Sequence, residues 1–173
     1  MPKKILILHG WDASPDEHWF LPAKEKFEKA GLKVFLPRMP GNYFPKKEQW
    51  LKIIKETIKS DNWILIGHSL GGVAILKYLE NAPFKAKQVV LIAAAYEPMS
   101  FGPIENFFDA PFQWEKIKLH CPKFDIVVES DDPVVPIEHG KNFAKKLGGK
   151  LHVLPGGTHF HSLDLEFLKG LIK

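Results

Sequence analysis

Residues 64–72 read Ile64-Leu65-Ile66-Gly67-His68-Ser69-Leu70-Gly71-Gly72, and the chain passes at once into Val73-Ala74-Ile75-Leu76-Lys77-Tyr78-Leu79. An apolar run that ends in Gly-x-Ser-x-Gly and enters a helix-forming stretch predicts a strand, a tight turn and a helix. Gly67 and Gly71 carry no Cβ, so strand and helix can approach closely around the serine. Ser69 then belongs to neither element, and its hydroxyl is expected to stand clear at the helix N-terminus. The amide of Leu70 has no partner within that helix and points into the same space. Gly and Ser are common in ordinary turns, so the pentapeptide alone is a weak pattern. Its place between a strand and a helix makes it a candidate nucleophile elbow.

The flanking sequence repeats the same alternation. Short apolar runs at Ile5–Leu8, Leu32–Leu36, Trp63–Ile66, Gln88–Ala93, Phe124–Val128 and Lys150–Leu154 predict strands, mostly buried on both faces. Between them lie helical patterns. Phe20, Ala23, Phe27 and Ala30 share one face before Gly31; Trp50, Ile53, Ile54 and Ile58 share another within Lys46–Ser60. Further helices are expected over Leu70–Asn81, Phe112–Leu119 and Ile137–Leu147, and a last one capped by Ser162. Residues 94–111 form the longest irregular stretch, too short for a lid domain. Strands alternating with helices predict one α/β domain over residues 1–173, with a six-stranded parallel sheet and helices on both faces.

In such sheets, sites form at the carboxyl ends of the strands. His9 follows the first strand, Ser69 the third, Asp131 and Asp132 the fifth, and His159 the sixth. A serine hydroxyl needs a base to take its proton, and an imidazole base needs a carboxylate to fix its tautomer. The chain order Ser, Asp, His is that of α/β-hydrolases. Asp132 is chosen over Asp131 because it precedes the rigid Pro133-Val134-Val135-Pro136. His159 is chosen over His161 because Gly156-Gly157 frees the backbone to bring it over Ser69. A His-x-His metal site is the other reading of that pair, but no further Cys/His spacing supports it. Backbone N–H groups of Leu70 and Trp11 are the candidate donors to a developing oxyanion. Trp11, His18, Phe107 and Trp114 are candidates to line a substrate pocket; packing or loop polarity is the alternative for each. His68 is read as structural.

Composition narrows the function classes. The 173 residues carry a net charge of +4, but only Arg38 among the 24 basic residues is arginine, and the lysines are dispersed. Nucleic-acid readout favours clustered arginine, so no nucleic-acid partner is expected. Cys121 is the only cysteine, which precludes an internal disulfide and fits a reducing, cytoplasmic setting. The apolar run after Lys3-Lys4 is too short for a signal peptide or membrane span.

Taken together, His9-Gly10-Trp11 with His18-Trp19, Leu36-Pro37-Arg38-Met39-Pro40, Gly67-His68-Ser69-Leu70-Gly71-Gly72, Phe112-Gln113-Trp114, Ser130-Asp131-Asp132-Pro133-Val134-Val135-Pro136 and Gly157-Thr158-His159-Phe160 resemble the small serine hydrolases of the retinoblastoma-binding-protein / YdeN type. The resemblance runs over nearly the whole chain. It implies strand order 2-1-3-4-5-6 with no large lid domain, Ser69 as nucleophile, Asp132 as orienting acid and His159 as base; that chemistry needs no metal or organic cofactor. It implies esterase-like or amide-hydrolysing activity on a small acyl substrate. The Leu-x-Cys-x-Glu motif for the retinoblastoma protein is absent, since Leu119-His120-Cys121-Pro122-Lys123 ends in lysine, so that partner is not expected. Acyl transfer on the same residues, or a protein-binding role with little catalytic use, are the alternatives.

Overall fold

The computed structural model describes residues 3–100 and 102–172. Six parallel strands form one sheet: β1 (Lys4–Leu8), β2 (Lys33–Phe35), β3 (Trp63–His68), β4 (Ala86–Ile92), β5 (Phe124–Glu129) and β6 (Lys150–Leu154). Their order is β2-β1-β3-β4-β5-β6, with Leu8 paired to Gly67 and His68 to Ile92. Sequence order reverses at β1, so the loops after β1 and β3 leave the sheet side by side on opposite windings. The helices are α1 (Phe20–Lys29), α2 (Lys47–Thr57), α3 (Leu70–Leu79), α4 (Trp114–His120), α5 (Ile137–Leu147) and α6 (Leu165–Leu171), with a short 3-10 helix at Gly102–Phe107.

The central strands are apolar throughout because alternate side chains feed two cores. Leu6, Leu8, Leu65, Leu91, Ile126 and Val128 face the layer that holds α2, α3, α4 and α5. Ile5, Ile7, Ile64, Ile66, Val90, Ile92 and Val127 face α1 and α6. Every residue of α3 is buried, so this helix has no solvent face to carry polar groups. Lys77 is nonetheless on it. Its Nζ donates to Glu80 Oε1 at 3.2 Å and to the Ala110 carbonyl at 2.7 Å, and lies 4.7 Å from the Phe112 ring centre. Glu80 Oε1 also accepts the Gln113 N–H at 3.1 Å. The elbow helix is thereby tied to the segment that precedes α4.

Gly67 lets strand and helix approach as closely as expected: a Cβ on it would lie 2.5 Å from the Gly72 Cα and 2.7 Å from the Gly71 carbonyl carbon. Gly71 also admits β1, since its Cβ would lie 2.6 Å from the carbonyl oxygens of Leu8 and His9. One expectation is corrected. The cap of α6 is Asp164, not Ser162. Its Oδ1 accepts the N–H groups of Glu166 and Phe167 at 2.8 and 3.2 Å, and Ser162 is too far upstream to reach them. Because the β3–α3 contact is backbone against backbone, Gly67→Ala should destabilise the fold by about 3 kcal/mol or more. Thermal and urea denaturation should place its loss well beyond that of Gly31→Ala, where nothing lies within 4 Å of the added Cβ and only the positive φ of 82° opposes it.

Candidate active site

Ser69 sits between β3 and α3 with φ 51° and ψ −121°, a region that residues with a Cβ avoid. Holding it there costs on the order of 1–3 kcal/mol, which the surroundings must supply. The Ser69 N–H donates to the Ile92 carbonyl at the end of β4, and the Gly72 N–H returns to the Ser69 carbonyl, at 2.8 and 3.0 Å. Leu70 opens α3, so its N–H has no carbonyl four residues back within the helix. Across the gap, Gly10 comes so near that a Cβ there would lie 3.0 Å from the Ser69 Cβ. The loop after β1 thus approaches the serine as backbone, with Trp11 next in line.

The histidine-bearing loop follows β6. His159 and Phe160 both have positive φ, 55° and 52°. Consecutive left-handed residues that are not glycine need restraint from outside, and three groups provide it. His159 Nδ1 lies 2.9 and 3.1 Å from the two oxygens of Asp132. The Asp132 side chain is 1% exposed, and its Oδ1 also accepts the N–H groups of Val134 and Val135 at 2.8 and 2.9 Å. Burial disfavours the Asp132 charge, but the bonds from His159, Val135 and Val134 outweigh it and hold the carboxyl below its ordinary pKa. Asp131 is exposed and bonds Ser130 Oγ instead. With Nδ1 directed to Asp132, the opposite ring nitrogen of His159 is left to act as acceptor.

The other two restraints are residues to which the sequence assigned no such role. Glu129, buried at the end of β5, accepts the Thr158 N–H at 2.8 Å, the Thr158 hydroxyl at 3.1 Å and the Phe160 N–H at 3.3 Å. The only sequence signal is an acid closing the strand Phe124-Asp125-Ile126-Val127-Val128-Glu129. His68, beside Ser69, is 3% exposed and donates Nε2–H to the His159 carbonyl at 2.9 Å. Burial, and then the nearness of His159, push its pKa down to about 3, so it stays neutral. One ring therefore couples the serine's strand to the loop that carries His159.

A narrow apolar pocket opens at Ser69, lined also by Trp11, Leu70, Ala95, Met99, Ile104, Val134 and Val135. Its free space is about 30 Å³, enough for a water molecule or two. Phe107 and Trp114 do not line it. The 3-10 helix turns Phe107 inward, where it is wholly buried edge-on to Trp50 at 5.4 Å. Trp114 stacks on Tyr96 at 5.6 Å and packs on Phe112 and Phe143, over α5. His18 is also outside the pocket wall, its ring parallel to that of His161 at 4.5 Å. A larger cavity of about 430 Å³ lies behind the histidine loop, between Glu129, Pro155, Thr158 and Phe167, and includes neither Ser69 nor His159. Among the described residues, no group of three or more His, Cys, Asp or Glu is arranged to hold a metal ion. None of the described helices is long and apolar enough to cross a membrane.

A six-stranded parallel sheet in the order β2-β1-β3-β4-β5-β6, with a strained serine at the β3–α3 turn, defines an α/β-hydrolase fold. Residues 5–164 match the family described as Serine hydrolase, and the chain belongs to it. It is 27% identical over 165 residues to YdeN of Bacillus subtilis, covering 92% of this chain and 87% of that one. It is 27% identical over 169 residues to the serine hydrolase RBBP9 of Rattus norvegicus, covering 95% and 86%. The crystal structure of the ydeN gene product superposes with a TM-score of 0.87 at 26% identity over 97% of both chains. Est1E from Butyrivibrio proteoclasticus shares the fold at a TM-score of 0.76 and 17% identity.

The depressed His68 pKa has a sign. Unfolded, the ring takes up a proton near its ordinary value of 6.5; folded, it does so only near 3. Stability therefore falls as pH drops through that interval, by roughly 1.4 kcal/mol per pH unit from this residue alone. His68→Gln keeps a donor for the His159 carbonyl and removes the titration. Urea denaturation between about pH 7 and about pH 4 should show a shallower acid loss in the variant. His9 and His139, also lowered by burial, do not act on His68 and cancel in the comparison.

Proposed function

We propose that this serine hydrolase cleaves small carboxylic esters or related acyl compounds, with Ser69 as nucleophile, His159 as base and Asp132 as the carboxylate that orients it. The observation that carries the reading is the 2.9 Å contact between His159 Nδ1 and the buried Asp132, on a loop bonded through His68 to the strand that ends at the strained Ser69.

In the first half-reaction His159 Nε2 takes the Ser69 hydroxyl proton as Oγ bonds to the substrate carbonyl carbon. The N–H groups of Leu70 and Trp11 receive the negative charge on the carbonyl oxygen. The carbon–oxygen bond to the alcohol then breaks, and the leaving alcohol takes the proton from His159. This leaves an acyl group on Ser69. Water adds to it after giving a proton to His159; the acid departs and the proton returns to Ser69 Oγ. Asp132 accepts from Nδ1–H throughout and stays ionised, which its lowered pKa favours. No step calls for a metal or organic cofactor.

A fluorophosphonate probe should label the purified protein. Labelling and ester turnover should both disappear in Ser69→Ala and His159→Ala and persist in His161→Ala, while Asp132→Asn should lower kcat by about 10⁴-fold. Turnover unchanged in Ser69→Ala would sink the assignment. Added alcohols or amines that divert the acyl group into new esters or amides would mark acyl transfer instead. A matched anilide cleaved as fast as the ester would mark an amidase.

A further inference from the structure

The apolar pocket at Ser69 has only about 30 Å³ of free space. Trp11 lines it and packs on an aromatic turn. The indole N–H donates to the Tyr43 carbonyl at 2.8 Å, and the two rings lie 5.0 Å apart at 44°. Phe44 stands edge-on to Tyr43 at 5.1 Å. Tyr43 is 48% exposed and Phe44 68%, although each ring is large enough to favour burial.

The exposure is built into the backbone. Gly41 and Asn42 both have positive φ, 91° and 37°, and the Phe44 N–H closes the turn on the Gly41 carbonyl at 2.7 Å. A Cβ on Gly41 would fall 2.8 Å from the Pro45 Cα, so the turn is wound as tightly as glycine permits. Both flanks are pinned: Trp50 Nε1 donates to the Pro40 carbonyl at 2.8 Å, and Asn106 Nδ2 donates to the Pro45 carbonyl at 3.0 Å. Two rings are thus held in water, beside the pocket, on a turn with little freedom to withdraw them.

We infer that Tyr43 and Phe44 form an outer subsite that receives the larger apolar part of the substrate, a ring or chain lying on their exposed faces while the small part enters the pocket at Ser69. The inference rests on the acyl chemistry proposed at Ser69 and specifies its substrate class: esters with one small and one bulky apolar half. A ring laid on preformed aromatics loses water-exposed area without ordering the protein, which turns shelf contact into transition-state binding.

The test compares wild type, Phe44→Ala and Tyr43→Ala/Phe44→Ala, with folding checked by thermal denaturation. Substrates are 4-nitrophenyl acetate through octanoate, and methyl, phenyl and naphthyl acetates, all below their aggregation limits. In at least one series kcat/KM should rise with apolar size in wild type. The double variant should lose that rise by about tenfold at the large end and under twofold at the small end, with Phe44→Ala between. Equal loss across both series, or none, overturns the subsite. A loss seen only with aggregated substrate also overturns it, in favour of adsorption to an interface. Fluorophosphonate labelling separates the two readings. Labelling of Ser69 with unchanged size selectivity overturns the subsite alone; folded wild type that neither labels nor turns over either series overturns both.

Discussion

Between Gly67 and Gly72 there is no room for a side chain, and the architecture of the site follows from that contact. Backbone touching backbone forces β3 to turn into α3 within a residue or two, and Ser69 absorbs the turn at φ 51°. The strain is local but its support is not. The Ile92 carbonyl fixes the serine's amide, and the bare face of Gly71 lets the end of β1 settle against the start of the helix. A parallel sheet delivers these ends to the same edge because every strand runs the same way. The serine is held by three strands at once, which is how a conformation that is unfavourable for one residue persists in a folded chain.

The opposite side of the cleft repeats the arrangement with side chains in place of backbone. His159 and Phe160 are both left-handed, and Asp132, Glu129 and His68 hold the loop from three directions. The division of labour is electrostatic. Two carboxyl groups accept, one from the imidazole and one from the loop's amides, while the histidine between them is kept neutral by burial. A charged His68 next to His159 would oppose the imidazolium that the proposed chemistry must form.

Much of this was legible in the sequence, for identifiable reasons. Unbroken apolar runs separated by helical periodicity admit few architectures, and the strands emerged within about two residues of their expected bounds. The residues proposed for chemistry, Ser69, Asp132 and His159, were chosen from local backbone cues: flanking glycines and a following Pro-Val-Val-Pro. The pocket was less legible, because which aromatic turns inward depends on partners far away in the chain. Phe107 looked like a lining residue until the 3-10 helix buried it on Trp50, and Trp114 was claimed by Tyr96 and Phe143. Glu129 carries no local cue to its role, because the amides it accepts lie some thirty positions further on. Ser162 is the cap the sequence suggests, but α6 starts at Leu165, and the position before it belongs to Asp164.

The buried pair of Lys77 and Glu80 was introduced as a tie between α3 and the segment before α4. That segment follows directly on Met99 and Ile104, which wall the pocket, and α3 is the helix that begins at Ser69. The wall and the serine are therefore parts of one body, fastened through an ion pair that cannot be parted without stranding a charge in the interior. A pocket hung on a mobile flap can widen while its catalytic serine stays still. Here the segment beyond the wall is fastened to the helix that begins at Ser69, so swinging it outward to widen the pocket would part the Lys77–Glu80 pair from its partners Ala110 and Gln113.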